Sequence, residues 1–197
     1  MIWKYISNLI LYFFLGSIAL VLLLKFVPVP FTPLMLIRQV EARSEGRRLE
    51  IQHEWVAIED ISPELIAAVI AEEDARFYEH RGFDWDAIQC ARRYNQRMGR
   101  NIRGGSTISQ QTAKNIFCTP SRTYVRKVFE AYFTVLIEFF WGKERILEVY
   151  LNSIEMGDGV FGAEAAAQHH YRTSASALHR GQAYDIASGL CNPRIFL

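Results

Sequence analysis

Residues 62–74 decide the fold of this chain, and they read Ser62-Pro-Glu-Leu-Ile-Ala-Ala-Val-Ile-Ala-Glu-Glu-Asp74. Ser62 is a favourable helix N-cap, Pro63 suits the first helical position, and an early Glu64 complements the helix dipole. Residues 65–71 are apolar on nearly every face, which predicts a buried helix. Three carboxylates follow at its end, where they oppose the helix dipole and repel one another.

This acidic cluster has two interpretations. An isolated cluster of this kind is usually a frayed, solvated helix end. Here an apolar helix delivers the carboxylates, and the aromatic residues Phe77, Tyr78 and Phe83 follow them. A carboxylate in such surroundings favours its neutral form and can transfer protons in catalysis. His80 alone is more typical of a structural histidine than of a ligand.

The next informative stretch is Gly104-Gly-Ser-Thr-Ile-Ser-Gln-Gln111. Thr107 with Gln110 predicts a capping box, and Ser106 with Ser109 offers the same in the adjacent register. Either register presents free N–H groups at a helix N-terminus, which is a natural site for an anion. Four basic residues follow, so phosphate is a plausible target: Lys114, Arg122, Arg126 and Lys127.

Further helices are predicted over residues 124–141, 143–152, 162–171 and 181–190, with a turn at 157–159, so the fold class is mainly α. The first of them is apolar on almost every face, yet it carries Arg126 and Glu130 one turn apart. The pair is either a structural ion pair or a second carboxylate that lines a cleft beside phosphate-binding cations.

Five arginines fall within residues 92–103, where Gly99 interrupts any helix. Nucleic-acid contact, contact with an anionic lipid surface and a solvated loop all stay open for this segment. A membrane anchor upstream favours the lipid surface.

That anchor is predicted over residues 6–26, an apolar run long enough to span roughly 30 Å of bilayer. A proline-rich linker follows at residues 27–33 without a small-x-small cleavage site, which favours an uncleaved anchor over a signal peptide. We expect the short N-terminal flank inside the cell and the remaining domain outside. Alternation over residues 48–56 predicts a short strand.

Composition narrows the function classes. The 197 residues are 50% apolar and carry a net charge of +1, which excludes a disordered chain and disfavours a nucleic-acid binder. The cysteines Cys90, Cys118 and Cys191 are too far apart for a Cys-x-x-Cys metal site, and we expect them to be small buried hydrophobes.

Five motifs then occur in a fixed order along the chain. They are Glu73-Asp-x-x-Phe77-x-x-His80-x-Gly82, Gly104-Gly-Ser-Thr-Ile-Ser-Gln-Gln111, Arg126-Lys-x-x-Glu130, Lys143-x-x-Ile-Leu-Glu-x-Tyr-Leu-Asn152 and Gly159-x-x-Gly162-x-x-Ala-Ala166. Together they resemble the five motifs of the peptidoglycan glycosyltransferases of family 51. With one N-terminal anchor, the chain is similar to the monofunctional biosynthetic transglycosylases of two-membrane bacteria.

The resemblance implies a lysozyme-like, mainly α-helical domain on the periplasmic side of the inner membrane. Residues 1–30 would form the transmembrane anchor and linker, and residues 31–197 the glycosyltransferase domain, with a C-terminus short relative to the family. The implied activity is polymerisation of lipid II into β-1,4-linked glycan strands with inversion and release of undecaprenyl diphosphate.

The resemblance also assigns residues. Glu73 matches the general base, and Glu130 matches the second carboxylate, which organises the donor site. Lys114, Arg126 and Lys127 match the pyrophosphate-binding positions. Their expected neighbours in the substrate site are Gln111, Asn115 and Arg122.

The resemblance implies no tightly bound cofactor, although a divalent cation, Mg²⁺ or Mn²⁺, can act together with the substrate pyrophosphate. No metal site made by protein ligands alone is predicted. The expected partners are lipid II, the nascent glycan strand, inner-membrane lipid and other cell-wall synthases, and no nucleic acid.

Three positions depart from the family pattern. Thr112 stands where an aliphatic residue is usual, Tyr171-Arg172 where Phe-Gly is typical, and Cys191 where proline is common. Two other functions stay open: a lysozyme-like lytic enzyme, which has no use for pyrophosphate-binding cations, and a non-catalytic membrane scaffold of the cell-wall machinery.

Overall fold

The structure is a computed structural model that describes residues 2–100, 104–121 and 123–194. Nine α-helices and three short strands lie within these ranges, which confirms the mainly α prediction. The helices are α1 Ile2–Leu24, α2 Pro33–Ser44, α3 Pro63–Glu73, α4 Trp85–Met98, α5 Ile108–Phe117, α6 Tyr124–Phe140, α7 Lys143–Ser153, α8 Ala163–Tyr171 and α9 Arg180–Gly189. The strands are β1 Gln52–His53, β2 Glu155–Gly157 and β3 Val160–Phe161.

Helix α1 corresponds to the predicted anchor. Its segment Trp3–Leu24 has a mean hydropathy of 2.3, and only 11% of its most apolar stretch is buried against the rest of the protein. By length and composition this helix is suited to cross a bilayer. It therefore fits a single-pass membrane anchor.

The anchor helix is attached to α6 and α7 by polar contacts. The hydroxyls of Ser17 and Tyr132 share a hydrogen bond of 2.6 Å, and Trp141 Nε1 donates to the Val21 carbonyl at 2.8 Å. Arg145 Nη2 donates to the carbonyls of Leu24 and Val27 at 2.8 and 2.7 Å. A cation at a helix C-terminus satisfies carbonyls that lack helical partners and complements the dipole.

The core of the domain forms where α3 packs on α9 and where α5 packs on α6 and α7. Its largest fully buried side chains include Trp141, Tyr150 and Phe77. The rings of Phe117 and Phe133 stack at 4.3 Å across the contact between α5 and α6. Helices α5 and α6 are therefore packed firmly against each other.

The sheet is small and has the strand order β1-β3-β2. Strand β1 runs parallel to β3 with Gln52 opposite Val160, and β2 pairs antiparallel with β3 through an irregular register. Strand β1 lies within residues 48–56, so the strand prediction is confirmed. The hairpin between β2 and β3 contains the predicted turn at 157–159.

Helix α4 covers a segment for which the sequence left three interpretations open. Asp84 Oδ1 caps the helix by accepting from the Ala87 amide at 2.9 Å, and Gly99 ends it with a φ of +65°. The solvated-loop interpretation is therefore wrong for residues 92–98, whose arginines project from a helix and are exposed. The prediction that Gly99 interrupts the helix is confirmed, and residues 101–103 lie outside the described ranges.

The cysteine prediction is only partly right. Cys118 is buried at the end of α5, whereas Cys90 and Cys191 are exposed. Cys90 lies on the solvent face of α4, and Cys191 follows α9, where Asn192 also lies on the surface. An apolar residue type does not by itself specify which face of an amphipathic helix it occupies.

Candidate active site

Helix α3 places Glu73 at the edge of a cavity. The Ser62 hydroxyl caps the helix, because it accepts from the Glu64 amide at 3.2 Å and donates to the Leu178 carbonyl at 2.8 Å. Its inner face is buried, and Glu73 is its last, half-buried residue. The cavity beside it has a volume of about 460 Å³ and extends to Gly105. The helix is regular up to Glu73, so this end is not frayed.

Asp74, the next residue, ties the end of α3 to the start of α5. Its carboxylate oxygens lie 2.9 and 3.0 Å from His80 Nε2, and Oδ2 also accepts from the Ile108 amide at 3.0 Å. The Gly82 amide donates to His80 Nδ1 at 3.1 Å, so the Nε2 atom carries the proton that faces Asp74. His80 is structural, as the sequence predicted.

Helix α5 brings Gln111 onto Glu73. Thr107 Oγ1 accepts from the Gln110 amide at 3.2 Å while Gln110 Oε1 accepts from the Thr107 amide at 3.1 Å, which confirms the first of the two predicted capping boxes. One residue further on, Gln111 Nε2 donates to Glu73 Oε2 at 2.6 Å.

Tyr150 of α7 supports the same glutamine. Its hydroxyl donates to Gln111 Oε1 at 3.4 Å. Burial raises the pKa of Tyr150 well above its ordinary value, because the phenolate would lose its hydration, and the nearby Glu73 and Asp74 act in the same direction. The hydroxyl therefore keeps its proton and acts as a donor.

Helix α6 carries a second carboxylate with two cations. Glu130 is buried, and its two oxygens accept from Arg126 Nη1 and Lys127 Nζ. Glu130 follows Arg126 by four residues and Lys127 by three, so both cations can reach it along one face of the helix. The structure therefore shows the ion pair of Arg126 and Glu130. The alternative, a second carboxylate that lines a cleft beside phosphate-binding cations, stays a prediction.

Lys114 of α5 completes the cationic group. Burial lowers the pKa of its ammonium, since desolvation penalises the charged form, while Glu130 and Glu73 raise it and Arg126 and Lys127 lower it. All four of these charges therefore lie within electrostatic reach of Lys114.

A cavity of about 280 Å³ opens beside this group. Its lining consists of Leu34, Arg38, Lys114, Asn115, Cys118, Pro120 and Arg126. Arg126 Nε is the buried side-chain polar atom that lacks a hydrogen-bond partner within the described ranges. An unsatisfied buried donor is costly, so an anionic oxygen in this cavity would relieve that cost.

An apolar groove of about 400 Å³ adjoins the cationic cavity. Phe13 of α1 and the aromatic residues Phe117, Phe129 and Phe133 line it. Cys118 and Arg126 belong to the lining of both spaces. The site is therefore amphipathic, with a cationic end and an aromatic end that meet at Arg126.

Comparison with known proteins identifies the family. The transglycosylase family model matches residues 41–196 of this chain. The chain belongs to this family. The lysozyme-like helical fold class expected from the sequence is the fold class of this transglycosylase domain, in agreement with the nine helices.

Curated relatives match this transglycosylase chain along almost its whole length. A biosynthetic peptidoglycan transglycosylase of Pseudomonas syringae is 53% identical over 193 residues, covering 98% of this chain and 81% of that protein. Proteins of the same name from Caulobacter vibrioides and Bacteroides thetaiotaomicron are 53% and 52% identical, and the chain covers 82% and 77% of their lengths.

The structure brings together most of the residues assigned by resemblance. Gln111 is hydrogen-bonded to Glu73. Arg126 and Lys127 both pair with Glu130, and Lys114 lies within electrostatic reach of these three residues. Asn115 is buried in the lining of the cationic cavity. Arg122 lies outside the described residues. The individual catalytic and binding roles of all eight stay predictions.

No group of three or more His, Cys, Asp or Glu side chains is placed to hold a metal ion in the part of the chain that the structure describes. The resemblance implies a divalent cation that acts together with the substrate diphosphate. Its involvement stays a prediction.

Two residues of this transglycosylase site were missed from the sequence. The sequence pattern groups Asp74 with its acidic neighbours, whereas in the structure it pairs with His80, six residues further along the chain. Arg38 of α2 lines the cationic cavity, but no local pattern connects residue 38 with residues 114–126. Their recognition requires the tertiary fold.

The structure explains two of the departures from the family pattern. The buried Thr112 hydroxyl donates to the Ile108 carbonyl at 2.9 Å, which satisfies it inside a helix where an aliphatic residue is usual. Arg172 takes the left-handed conformation at φ +54° and ends α8, so the turn is kept although the usual glycine is absent.

Proposed function

We propose that this transglycosylase is a peptidoglycan glycosyltransferase that polymerises lipid II into β-1,4-linked glycan strands. The observation that carries the proposal is the position of one hydrogen-bonded carboxylate, Glu73, within electrostatic reach of a cationic cavity. The curated relatives, which are named biosynthetic peptidoglycan transglycosylases, support the substrate class.

In the proposed reaction Glu73 is the general base. Its carboxylate takes the proton from the 4-hydroxyl of the acceptor sugar as that oxygen bonds to the anomeric carbon of the donor chain. The bond from this carbon to the diphosphate breaks on the opposite face, so the configuration inverts. The hydrogen bond from Gln111 fixes one oxygen of Glu73 and orients the carboxylate.

The diphosphate leaves with the bonding electron pair and gains negative charge. Lys114 and Arg126 lie where they can stabilise that charge, and Arg126 Nε has no other partner among the described residues. Glu130 holds Arg126 in place by an ion pair and also pairs with Lys127, the third cation that the resemblance assigns to the diphosphate. The divalent cation expected from the resemblance would bind with the diphosphate and add to this stabilisation.

The membrane supplies the substrate in this proposal. The aromatic groove fits the first isoprene units of a polyprenyl diphosphate, because it adjoins the cationic cavity at Arg126 and reaches Phe13 of α1. Helix α6 also exposes an apolar face beside α1, formed by Tyr124, Val125, Val128, Val135 and Phe139. Such a face suits contact with lipid.

We place residues 1–30 in the anchor and linker and residues 31–197 in the glycosyltransferase domain, on the periplasmic side of the inner membrane. Impermeant maleimide labelling of intact cells tests the orientation. Cys90 and Cys191 are exposed and should react, whereas buried Cys118 should not. Reaction only after lysis would place the domain on the cytoplasmic side.

The activity is tested with the full chain in detergent, labelled lipid II and Mg²⁺ or Mn²⁺, with products resolved on a gel. We expect a ladder of glycan strands. Cleavage of preformed glycan instead would select the lytic function, and lipid II binding without any product would select the scaffold. Repetition with a chelator tests the divalent cation.

A further inference from the structure

Arg38 is a cation in the lining of the small cavity, and no sequence motif predicts its position there. It lies on α2, which begins nine residues after the anchor helix ends. It shares the lining of the 280 Å³ cavity with Lys114 and Arg126, and among the described residues no carboxylate contributes to that lining. Glu155 pairs with Arg38 and Glu130 pairs with Arg126, and a phosphate oxygen inside the cavity would further compensate the repulsion among the three cations.

Two carboxylates hold the Arg38 guanidinium in a fixed plane. Its Nε and Nη2 atoms donate to Glu155 at 3.0 and 2.8 Å, and its Nη1 atom donates to Glu41 at 2.7 Å. A guanidinium has five N–H groups, and these hydrogen bonds use one N–H group on each of its three nitrogen atoms. One further N–H on each Nη atom can serve another acceptor.

A purely structural role is the competing explanation. Glu155 is buried in β2, so the pair with Arg38 fastens α2 to the hairpin. That role requires the contact with Glu155, but it gives no reason for Arg38 to share a cavity with Lys114 and Arg126. The shared cavity is what points to a ligand.

We propose that Arg38 is a further diphosphate-binding residue, whose Nη groups donate to a phosphate oxygen in the cavity formed with Lys114 and Arg126. This inference rests on the proposed function, since it assigns a residue to the same donor site. Helix α2 directly follows the anchor and linker. A diphosphate bound by Arg38 would therefore be held beside the segment of the chain that leaves the membrane.

The test measures binding of farnesyl diphosphate to the full chain in detergent by calorimetry. Arg38→Ala should weaken binding about tenfold, as loss of one charge-assisted hydrogen bond predicts. Lys114→Ala serves as the positive control. Arg47→Ala is the matched control, because Arg47 also links the end of α2 to the hairpin, through Asp158, and does not line the cavity.

A second readout separates binding from structure. Loss of a cation that contacts phosphate should make the affinity less dependent on salt, whereas loss of a structural contact should leave the salt dependence unchanged. Measurements are made well below the melting temperature of each variant. Should Arg38→Ala fail to fold, Arg38→Gln keeps a donor for Glu155 without the charge and replaces it.

The inference is overturned if the variant binds within twofold of the wild type, or if weaker binding keeps the wild-type salt dependence. Failure of the proposed function is a different result. A wild-type protein that binds farnesyl diphosphate but forms no glycan would contradict the proposed glycosyltransferase activity and would still support the anion-binding site. Polymerisation by a protein in which Arg38 has no role in binding would contradict only this inference.

Discussion

Gln111 Nε2 donates a hydrogen bond of 2.6 Å to Glu73 Oε2, and this contact joins the middle of α5 to the end of α3. The other end of the same amide accepts from the buried Tyr150 hydroxyl at 3.4 Å. Gln111 therefore cannot rotate without losing one of its partners. Through Gln111, the buried Tyr150 hydroxyl therefore helps to fix the position of the Glu73 carboxylate, the proposed base.

Gln111→Ala should reduce kcat about tenfold or more with little change in KM, because Glu73 would lose the donor that orients it. Steady-state polymerisation rates at varied lipid II concentration provide both constants. Tyr150→Phe should reduce kcat by a smaller factor, since it acts only through Gln111. A raised KM at unchanged kcat would instead place Gln111 in substrate binding.

Glu73→Gln should lower the polymerisation rate by about 10²–10⁴-fold, the usual contribution of a general base. The amide keeps the size of the side chain, so the fold and diphosphate binding should persist. Glu64→Gln is the matched control, because Glu64 is exposed at the opposite end of the same helix. Rapid polymerisation by Glu73→Gln would exclude Glu73 as the base.

The elements that the sequence predicts correctly have local signals. Ser62 and Thr107 start α3 and α5 as capping rules require, and apolar runs define α1 and α6. The motifs that carry the family resemblance lie at the ends of these elements. For that reason the predicted carboxylates and cations converge once the helices pack.

The features that escaped prediction depend on contacts distant in sequence. Arg38 and Glu155 are 117 residues apart, and neither lies in a pattern that anticipates the other. Helix α4 had a cap at Asp84 and a terminating Gly99, but it buries little, with Ala91 as its buried residue.

Because of Lys114, the affinity for a diphosphate should fall at alkaline pH, which gives the plot of affinity against pH an alkaline limb. Burial lowers the pKa of its ammonium in the free protein, and a bound diphosphate raises it. Affinity is therefore highest below the free-protein pKa and falls as the pH rises through that value. Calorimetry with farnesyl diphosphate between about pH 7 and pH 10 measures this limb, which begins below the usual range of lysine.

Lys114→Arg is the control for this assignment. A guanidinium stays charged over the whole range, so the alkaline limb that begins below the ordinary lysine pKa should disappear even if the affinity changes. Glu130, Arg126, Lys127 and Glu73 all act on Lys114, and they remain in this variant. Persistence of the same limb in Lys114→Arg would assign it to another group.

Arg172→Gly should stabilise the protein. Arg172 is exposed and ends α8 at φ +54°, a conformation that costs a non-glycine residue about 1–2 kcal/mol. The greater freedom of glycine in the unfolded chain offsets part of this, which leaves a gain of about 0.5–1 kcal/mol. The melting temperature in detergent should rise by about 2 °C.

Gly99→Ala is the reciprocal variant, because Gly99 ends α4 at φ +65° with no atom within 4 Å of an added Cβ, and it should lower the melting temperature by a similar amount. A lower melting temperature for Arg172→Gly would mean that the arginine side chain contributes more than its backbone strain costs.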